Sequence, residues 1–255
     1  MNTPRFYCSE PLIAHSTLTL PAEVVHHLRV LRLKVGEPFT LFDGLGQEFL
    51  THLKADLGAT SSTKPLYAQL EAATVVDREL PGKITLIQGL AVSDKLDWVI
   101  EKAVELGVYR VIPVAAQRSV LRLDDARALK KHQHWQRIVQ SASEQCGRNV
   151  LMHVDVPCRL DTALKKIKGD GLLTIPLWVA HPEGAVKLTT CLEQAQKPLS
   201  DIHLAVGPEG GWSESELALF LQQTHAQTIS LGQRVLRTET AGMATVSMIT
   251  GYLNW

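Results

Sequence analysis

Long apolar runs are missing from this 255-residue chain, and with them any expected membrane span. The opening residues Met1-Asn2-Thr3-Pro4-Arg5 lead into no apolar signal region, so cytoplasmic residence is the expectation. Cysteine is sparse: Cys8, Cys146, Cys158 and Cys191 include no close pair, which argues against a disulfide framework and against a zinc site. Net charge is absent as well, with 26 basic residues against 26 acidic ones, so the whole chain exerts no general pull on nucleic acid. Two phosphate-binding signatures are also lacking. There is no G-x-G-x-x-G dinucleotide fingerprint, and no glycine loop ends in Gly-Lys-Ser/Thr. Nucleotide-phosphate chemistry on those scaffolds is thereby disfavoured.

What is present suits a globular protein with one large core, or one core plus a small domain. The charge is unevenly spread. Between Arg110 and Val150 stand eight basic residues (Arg110, Arg118, Arg122, Arg127, Lys130, Lys131, Arg137 and Arg148) against Asp124, Asp125 and Glu144. A local basic surface of this kind can bind RNA without making the whole protein adhesive, although a solvated helix face explains the charge equally well. The adjacent His26 and His27 are not expected to hold a metal, because helix neighbours point apart and no acid or cysteine completes a set.

The first seventy or so residues predict a mostly β domain with one helix. Apolar positions Val24, Val25, Leu28 and Leu31 fall at helical spacing between Pro21 and Leu33. Strand-like patterning follows at Phe39–Phe42, Glu48–Leu53 and Leu66–Val76, with a turn signal at Asp43-Gly44 and a small polar loop from Gly58 to Lys64. The punctuated stretch Asp77 to Gly82 marks a boundary, giving domains at 1–76 and 77–255. Beyond it strands and helices alternate. Strands are expected at Ile84–Ala91, Arg110–Val114, Leu177–Ala180, Ile202–Val206 and Thr228–Leu231. Helices are expected after Ser93 or Asp94 as cap and ending at Gly107, then over about Asp124–Glu144 and Lys187–Gln196, from Ser213, and from about Glu239. That alternation predicts an α/β domain with a mostly parallel sheet.

Two segments carry the chemistry. Gly207-Pro208-Glu209-Gly210-Gly211 leaves a strand and enters Ser213-Glu214-Ser215-Glu216, a capping-box spacing. Leu231-Gly232-Gln233-Arg234-Val235-Leu236 takes the corresponding place after the next strand and runs through Arg237, Thr238 and Glu239 into the last helix. Glycines admit a ligand close to the backbone, and ligands of open α/β sheets bind outside the carboxyl ends of the strands. Acids after the first loop disfavour an anionic phosphate, while apolar side chains alternating with loop backbone suit an adenine ring. Of the five tryptophans only Trp212, beside the first loop, is expected at a site wall. Arg237 and Glu239 could instead simply pair with each other.

Over essentially its full length the chain resembles the bacterial small-subunit (16S) ribosomal RNA uridine N3-methyltransferases of the SPOUT superfamily. The resemblance rests on Arg5-Phe6-Tyr7, His27 to Arg32, Asp43-Gly44, Glu101 to Gly107, Arg118-Ser119, Ser143 to Arg148, Gly207 to Gly211 and Leu231 to Thr240. It implies a PUA-like β-barrel domain for RNA and a C-terminal α/β domain with a deep trefoil knot, a topology that general rules would not propose. It further implies S-adenosylmethionine held by Ala180 and His181, by Gly207, Pro208, Glu209, Gly210 and Gly211, and by Leu231, Gly232, Val235 and Leu236. Homodimers are typical of the superfamily. The implied substrate is 16S ribosomal RNA within the small ribosomal subunit, with no membrane partner.

Methylation at N3 of uridine needs loss of the imide proton and alignment with the methyl donor. Arg237 is the expected cation for the charge developing on the base, with Glu209 or Glu239 as proton acceptor. Arg5, Arg29, Arg32, Arg118 and Arg148 are the expected RNA contacts. A non-catalytic RNA-binding factor would tolerate damaged loops, and both loops here are intact.

Overall fold

The computed structural model describes residues 3–54, 66–120, 124–168, 175–183, 185–195, 198–223 and 225–255, apart from the side chain of Ser93. The polar loop expected over Gly58–Lys64, the basic Arg122 and the end of the helix expected to reach Gln196 therefore lie outside the described residues. Two compact units result. One comprises Met1–Glu79 with Ser143–Leu151, and the other Leu80–Ala142 with Met152–Trp255. The division at 76/77 differs from this by Asp77–Glu79 and by the nine-residue segment 143–151, both of which join the first unit.

The first unit contains β1 (Arg5–Tyr7), β2 (Thr17–Thr19), α1 (Ala22–Val30), β3 (Pro38–Phe42), β4 (Gln47–Leu53) and β5 (Tyr67–Val75), in a sheet ordered β1-β3-β4-β5-β2. Only the β1–β3 pairing is parallel. Alternation sends Phe39, Leu41 and Leu53 inward, where Val24 and Leu28 of α1 cover them. The Asp43-Gly44 turn forms with two extra residues, because the Asp43 carboxylate accepts from the N–H groups of Leu45 and Gln47. Helix α1 stops earlier than the apolar spacing suggests. Arg32 takes φ 55°, and its N–H and that of Leu33 bond back to the carbonyls of Arg29 and Leu28, a Schellman closure. Arg32 is thereby left exposed beside the half-buried Arg29.

Two of the expected RNA contacts are corrected here. Arg5 donates to Glu48 Oε2 at 2.7 Å, to Asn149 Oδ1 at 2.5 Å and to the Gly147 carbonyl at 3.2 Å. Arg148, 4% exposed, forms a two-pronged pair with Glu79. Both guanidiniums are used inside this unit and are not presented to a phosphate. Glu48 also accepts from Asn149 at 2.9 Å and from Arg78 at 3.4 Å. Burial pushes the Glu48 carboxyl up, but the Arg5 and Asn149 hydrogen bonds and the charges of Arg5 and Arg78 outweigh it and hold the group below its ordinary range. Glu144, which accepts from the Tyr7 N–H at 2.9 Å, is pushed the other way by burial.

The second unit contains β6 (Lys83–Gly89), α2 (Ser93–Glu105), β7 (Arg110–Val114), most of α3 (Asp125–Cys146), β8 (His153–Val154), α4 (Leu160–Lys168), β9 (Leu177–Ala180), β10 (Val186–Lys187), α5 (Leu188–Gln194), β11 (Asp201–Val206), α6 (Glu214–Leu221), β12 (Ala226–Ser230) and α7 (Thr238–Leu253). Its sheet runs β10-β12-β9-β11-β6-β7-β8, every pairing parallel. Strand alternation sorts the two faces. Ile87, Leu177, Val179 and Ala205 meet Leu160, Leu164, Ile167, Trp212 and Phe220 from the α4 and α6 side. The adjacent residues Leu86, Gln88 and Val206 instead face Gly242 of α7. Helix α4 buries its apolar residues Leu160, Ala163, Leu164 and Ile167 as one stripe. Arg110, counted in the basic excess, is held by Asp155 at 2.9 and 3.0 Å.

Because folding lowers the Glu48 pKa, its contribution is full above the unfolded value of about 4.3 and is lost as pH falls through the folded value. Glu48→Gln should lower stability at neutral pH by about 1–3 kcal/mol. It should also flatten the loss of stability on acidification, as followed by urea titrations from neutral pH into the acid range. Equal pH slopes for the two proteins would contradict the assignment.

Candidate active site

The carboxyl ends of β9, β11 and β12 open into the loops that begin at His181, Gly207 and Leu231. One contact sets the path of the middle loop. A Cβ placed on Gly89, at the end of β6, would lie 2.4 Å from Pro208 Cδ and 2.5 Å from its nitrogen. Only glycine permits the loop to pass there. Beneath it Gln88, fully buried, donates through Nε2 to Thr238 Oγ1 at 2.9 Å, and the Thr238 hydroxyl donates to the Gly207 carbonyl at 2.5 Å. Strand β6, loop and α7 are thus tied through one polar chain. Sequence reasoning missed Gln88 and Thr238. The available signal was an amide side chain inside an otherwise apolar strand, where an unbonded polar group is costly.

Beyond Pro208 the loop binds its neighbours in turn. Arg118 covers Gly210 and donates to its carbonyl at 3.2 Å. The Ser213–Glu216 capping box forms, with Ser213 N–H to Glu216 Oε2 at 2.9 Å and Glu216 N–H to Ser213 Oγ at 3.2 Å. The same glutamate accepts from the Gln117 N–H at 2.8 Å, fixing the segment that carries Arg118. Trp212 is corrected from site wall to core: it is 3% exposed and stands edge-on to Phe220 at 4.9 Å. At Gly211 (φ 68°) and Gly232 (φ 119°), by contrast, a Cβ would meet nothing within 4 Å. They leave open space over the backbone where a ligand can approach. Ser230 Oγ holds Gly232 through its N–H at 3.2 Å and its carbonyl at 3.1 Å, and Val235 beyond it is 80% exposed. Leu231 and Leu236 are half-buried in the same loop. Ala180 closes β9, and the His181 N–H bonds to Ile229 O at 3.0 Å, tying the start of the first loop to β12.

The three candidate chemical residues differ in how they are held. Glu209 Oε1 accepts from Lys95 Nζ at 3.0 Å and from the Val92 N–H at 3.2 Å. Burial pushes this carboxyl up. Its own backbone N–H, Lys95 and Val92 together outweigh that and keep it below the ordinary glutamate range. A carboxylate so occupied is a poor base, which corrects the expectation that Glu209 takes a proton. It serves the start of α2 instead, where Val92 holds the cap position without a side-chain cap bond and a nearby anion is favourable. Glu239 stands in the first turn of α7, with Oε2 buried, unbonded and 3.9 Å from Lys95 Nζ. Arg237 is exposed at the cap position of α7 and makes no side-chain bond among the described residues, so the simple Arg237–Glu239 pair is not formed.

A cavity of about 570 Å³ lies elsewhere, at the amino ends of β6, β7 and β11, lined in part by Lys83, Tyr109, Arg110, Asp155 and Asp201. Its Arg110 is paired with Asp155, and ligands of parallel sheets bind at the opposite, carboxyl end. The glycine loops are therefore the candidate site. Among the described residues no helix is long and apolar enough to cross a membrane.

Residues 78–250 match the RNA methyltransferase domain family, and residues 20–56 match the RNA methyltransferase PUA domain. The parallel sheet and the small β unit are the two parts that this class combines. The ribosomal RNA small subunit methyltransferase E of Bacillus subtilis is 32% identical over 92% of this chain and 90% of its own length. The crystal structure of the Neisseria gonorrhoeae ribosomal RNA small subunit methyltransferase E bound to S-adenosyl methionine is 34% identical, covers 98% of both chains and superposes with a TM-score of 0.86. A putative methyltransferase of Legionella pneumophila in complex with the same cofactor is 29% identical, covers 99% of this chain and 98% of its own, and gives 0.87. The chain belongs to the ribosomal RNA small subunit methyltransferase E family.

Gly89→Ala must displace Pro208 and should cost about 1–3 kcal/mol of stability. Thr238→Val leaves the Gly207 carbonyl without its donor and should cost a similar amount. Urea midpoints within error of the unaltered protein would show that the loop is not held as described.

Proposed function

We propose that the protein transfers a methyl group from S-adenosylmethionine to N3 of a uridine in the 16S ribosomal RNA of the small ribosomal subunit. The observation that carries the reading is the open backbone at Gly211 and Gly232, after β11 and β12, the two strands that flank β9 in the parallel sheet, in a chain whose relatives bind this cofactor. The residues fit an adenosyl group. Glycine backbone with open space over it lets a ligand approach closely, and Leu231, Val235 and Leu236 supply apolar surface. Glu209 and Glu239 beside the loops suit a sulfonium cofactor better than a polyphosphate.

When bound, the cofactor supplies an electrophilic methyl group. The exposed guanidinium of Arg237 is free to face O2 or O4 of the uridine and to stabilise the charge that appears as N3 loses its proton. Glu239 is the proton acceptor in this reading, since Glu209 is already occupied. N3 lies on the Watson–Crick edge, so the target base must be unpaired or turned out. Arg29, Arg32 and Arg118 supply phosphate contacts. Ala180, His181, Gly207, Pro208 and Gly210 complete the cofactor cradle with the residues named above. A cytoplasmic homodimer with a trefoil knot in the larger unit belongs to the same proposal.

Calorimetry should show S-adenosylmethionine binding in the micromolar to sub-millimolar range, and absence of binding there would overturn the reading. Arg237→Ala should reduce methylation of small-subunit RNA by about 100-fold or more with little change in cofactor affinity. Turnover within a few-fold of the unaltered enzyme would remove Arg237 from its role.

A further inference from the structure

Lys95 belongs to no sequence motif, yet it occupies a point where three elements, α2, the middle loop and α7, converge. It rises from the first turn of α2, and its ammonium lies 3.0 Å from Glu209 of the middle loop and 3.9 Å from Glu239 of α7. The side chain of Glu239 is 17% exposed and that of Glu209 26%, so neither charge is fully hydrated. Two carboxylates gathered around one site repel each other unless a cation stands between them. The other charges on and beside these segments are the exposed Asp94 in the first turn of α2, Asp97, which is bonded to His134 and Trp135, Arg118, which is bonded to the Gly210 carbonyl, and the exposed Arg237.

We propose that Lys95 is a positioning residue for methyl transfer, whose ammonium stands between Glu209 and Glu239 and so holds the middle loop against the first turn of α7. The proposal rests on the methyltransferase reading above. The two contacts play different parts. The 3.0 Å bond, together with the Val92 N–H, commits Glu209 to the start of α2 and fixes the glycine loop there. The 3.9 Å approach is too long for a hydrogen bond, so Lys95 draws the first turn of α7 toward the loop while leaving the buried Glu239 Oε2 unoccupied, as a proton acceptor requires. The low folded pKa of Glu209 is consistent with this division. Arg237 begins the same helix two residues before Glu239, so a shift of the first turn would move the proposed charge-stabilising group as well.

The test compares Lys95→Met with Lys95→Arg. In the cofactor-free protein, carboxyl NMR should show Glu209 titrating about one pH unit or more higher in Lys95→Met, and near its original position in Lys95→Arg. Amide exchange at Val92 should accelerate in Lys95→Met alone. The acid limb of the kcat profile should move upward in the same variant and be restored in Lys95→Arg. Unchanged Glu209 titration in Lys95→Met would overturn the proposal. So would Lys95→Arg being as defective as Lys95→Met, since the retained charge would then be irrelevant. If the unaltered protein binds S-adenosylmethionine and either of these contrary results appears, only the Lys95 role fails and the methyltransferase reading stands.

Discussion

The close passage of Pro208 over Gly89 is the constraint on which the site depends. With less than a van der Waals contact available for any side chain, the loop after β11 is pressed onto the end of β6. Gln88 and Thr238 hold it from below through hydrogen bonds to one another and to the Gly207 carbonyl. From that fixed point the loop has little choice. Glu209 falls at the start of α2, Gly210 lies under Arg118, and Trp212 enters the core against Phe220. Only Gly211 is left facing open space, and Gly232 repeats that exposure in the next loop. Packing in this fold serves to place a stretch of bare backbone, which is how a site with few charged contacts can still be specific.

Charge in this protein is divided between holding the structure and meeting a ligand, and local density does not tell the two apart. Arg5, Arg148 and Arg110 look like members of a basic surface when counted along the chain, yet each is tied to Glu48, Glu79 or Asp155. Such pairs are costly to desolvate and are retained only where both partners are satisfied, as the forked contacts of Arg148 and Arg110 are. Arg237, Arg118 and Arg32 remain exposed. The acids show the same division. Glu209 and Glu216 close helix starts, whereas Glu239 keeps a buried oxygen without a hydrogen-bond partner.

The larger unit was legible in outline because buried parallel strands are written as continuous apolar runs, and Ile84–Ala91, Arg110–Val114 and Ile202–Val206 all appear as strands within a residue or two. The loops were legible because their glycines and the Ser213–Glu216 spacing are local signals. What escaped notice was set by tertiary contact. The three-residue β1 and β2 and the two-residue β8 and β10 are too short to show a period. The allegiance of 143–151 to the first unit depends on Asn149 and Arg148 finding Glu48 and Glu79, about 70 to 100 positions away in the chain. The different fates of Glu209 and Glu239 depend on Lys95, more than a hundred residues earlier, and no local pattern could reveal it.

The central claim is that this backbone cradle delivers a methyl group to N3 of a uridine in small-subunit ribosomal RNA. The most direct measurement supplies purified protein and methyl-labelled S-adenosylmethionine to small subunits from a strain lacking the protein, followed by nucleoside mass spectrometry of the 16S RNA. Labelled 3-methyluridine at a single position is the expected product. Label on another base, on a ribose oxygen, or on no nucleoside at all would contradict it.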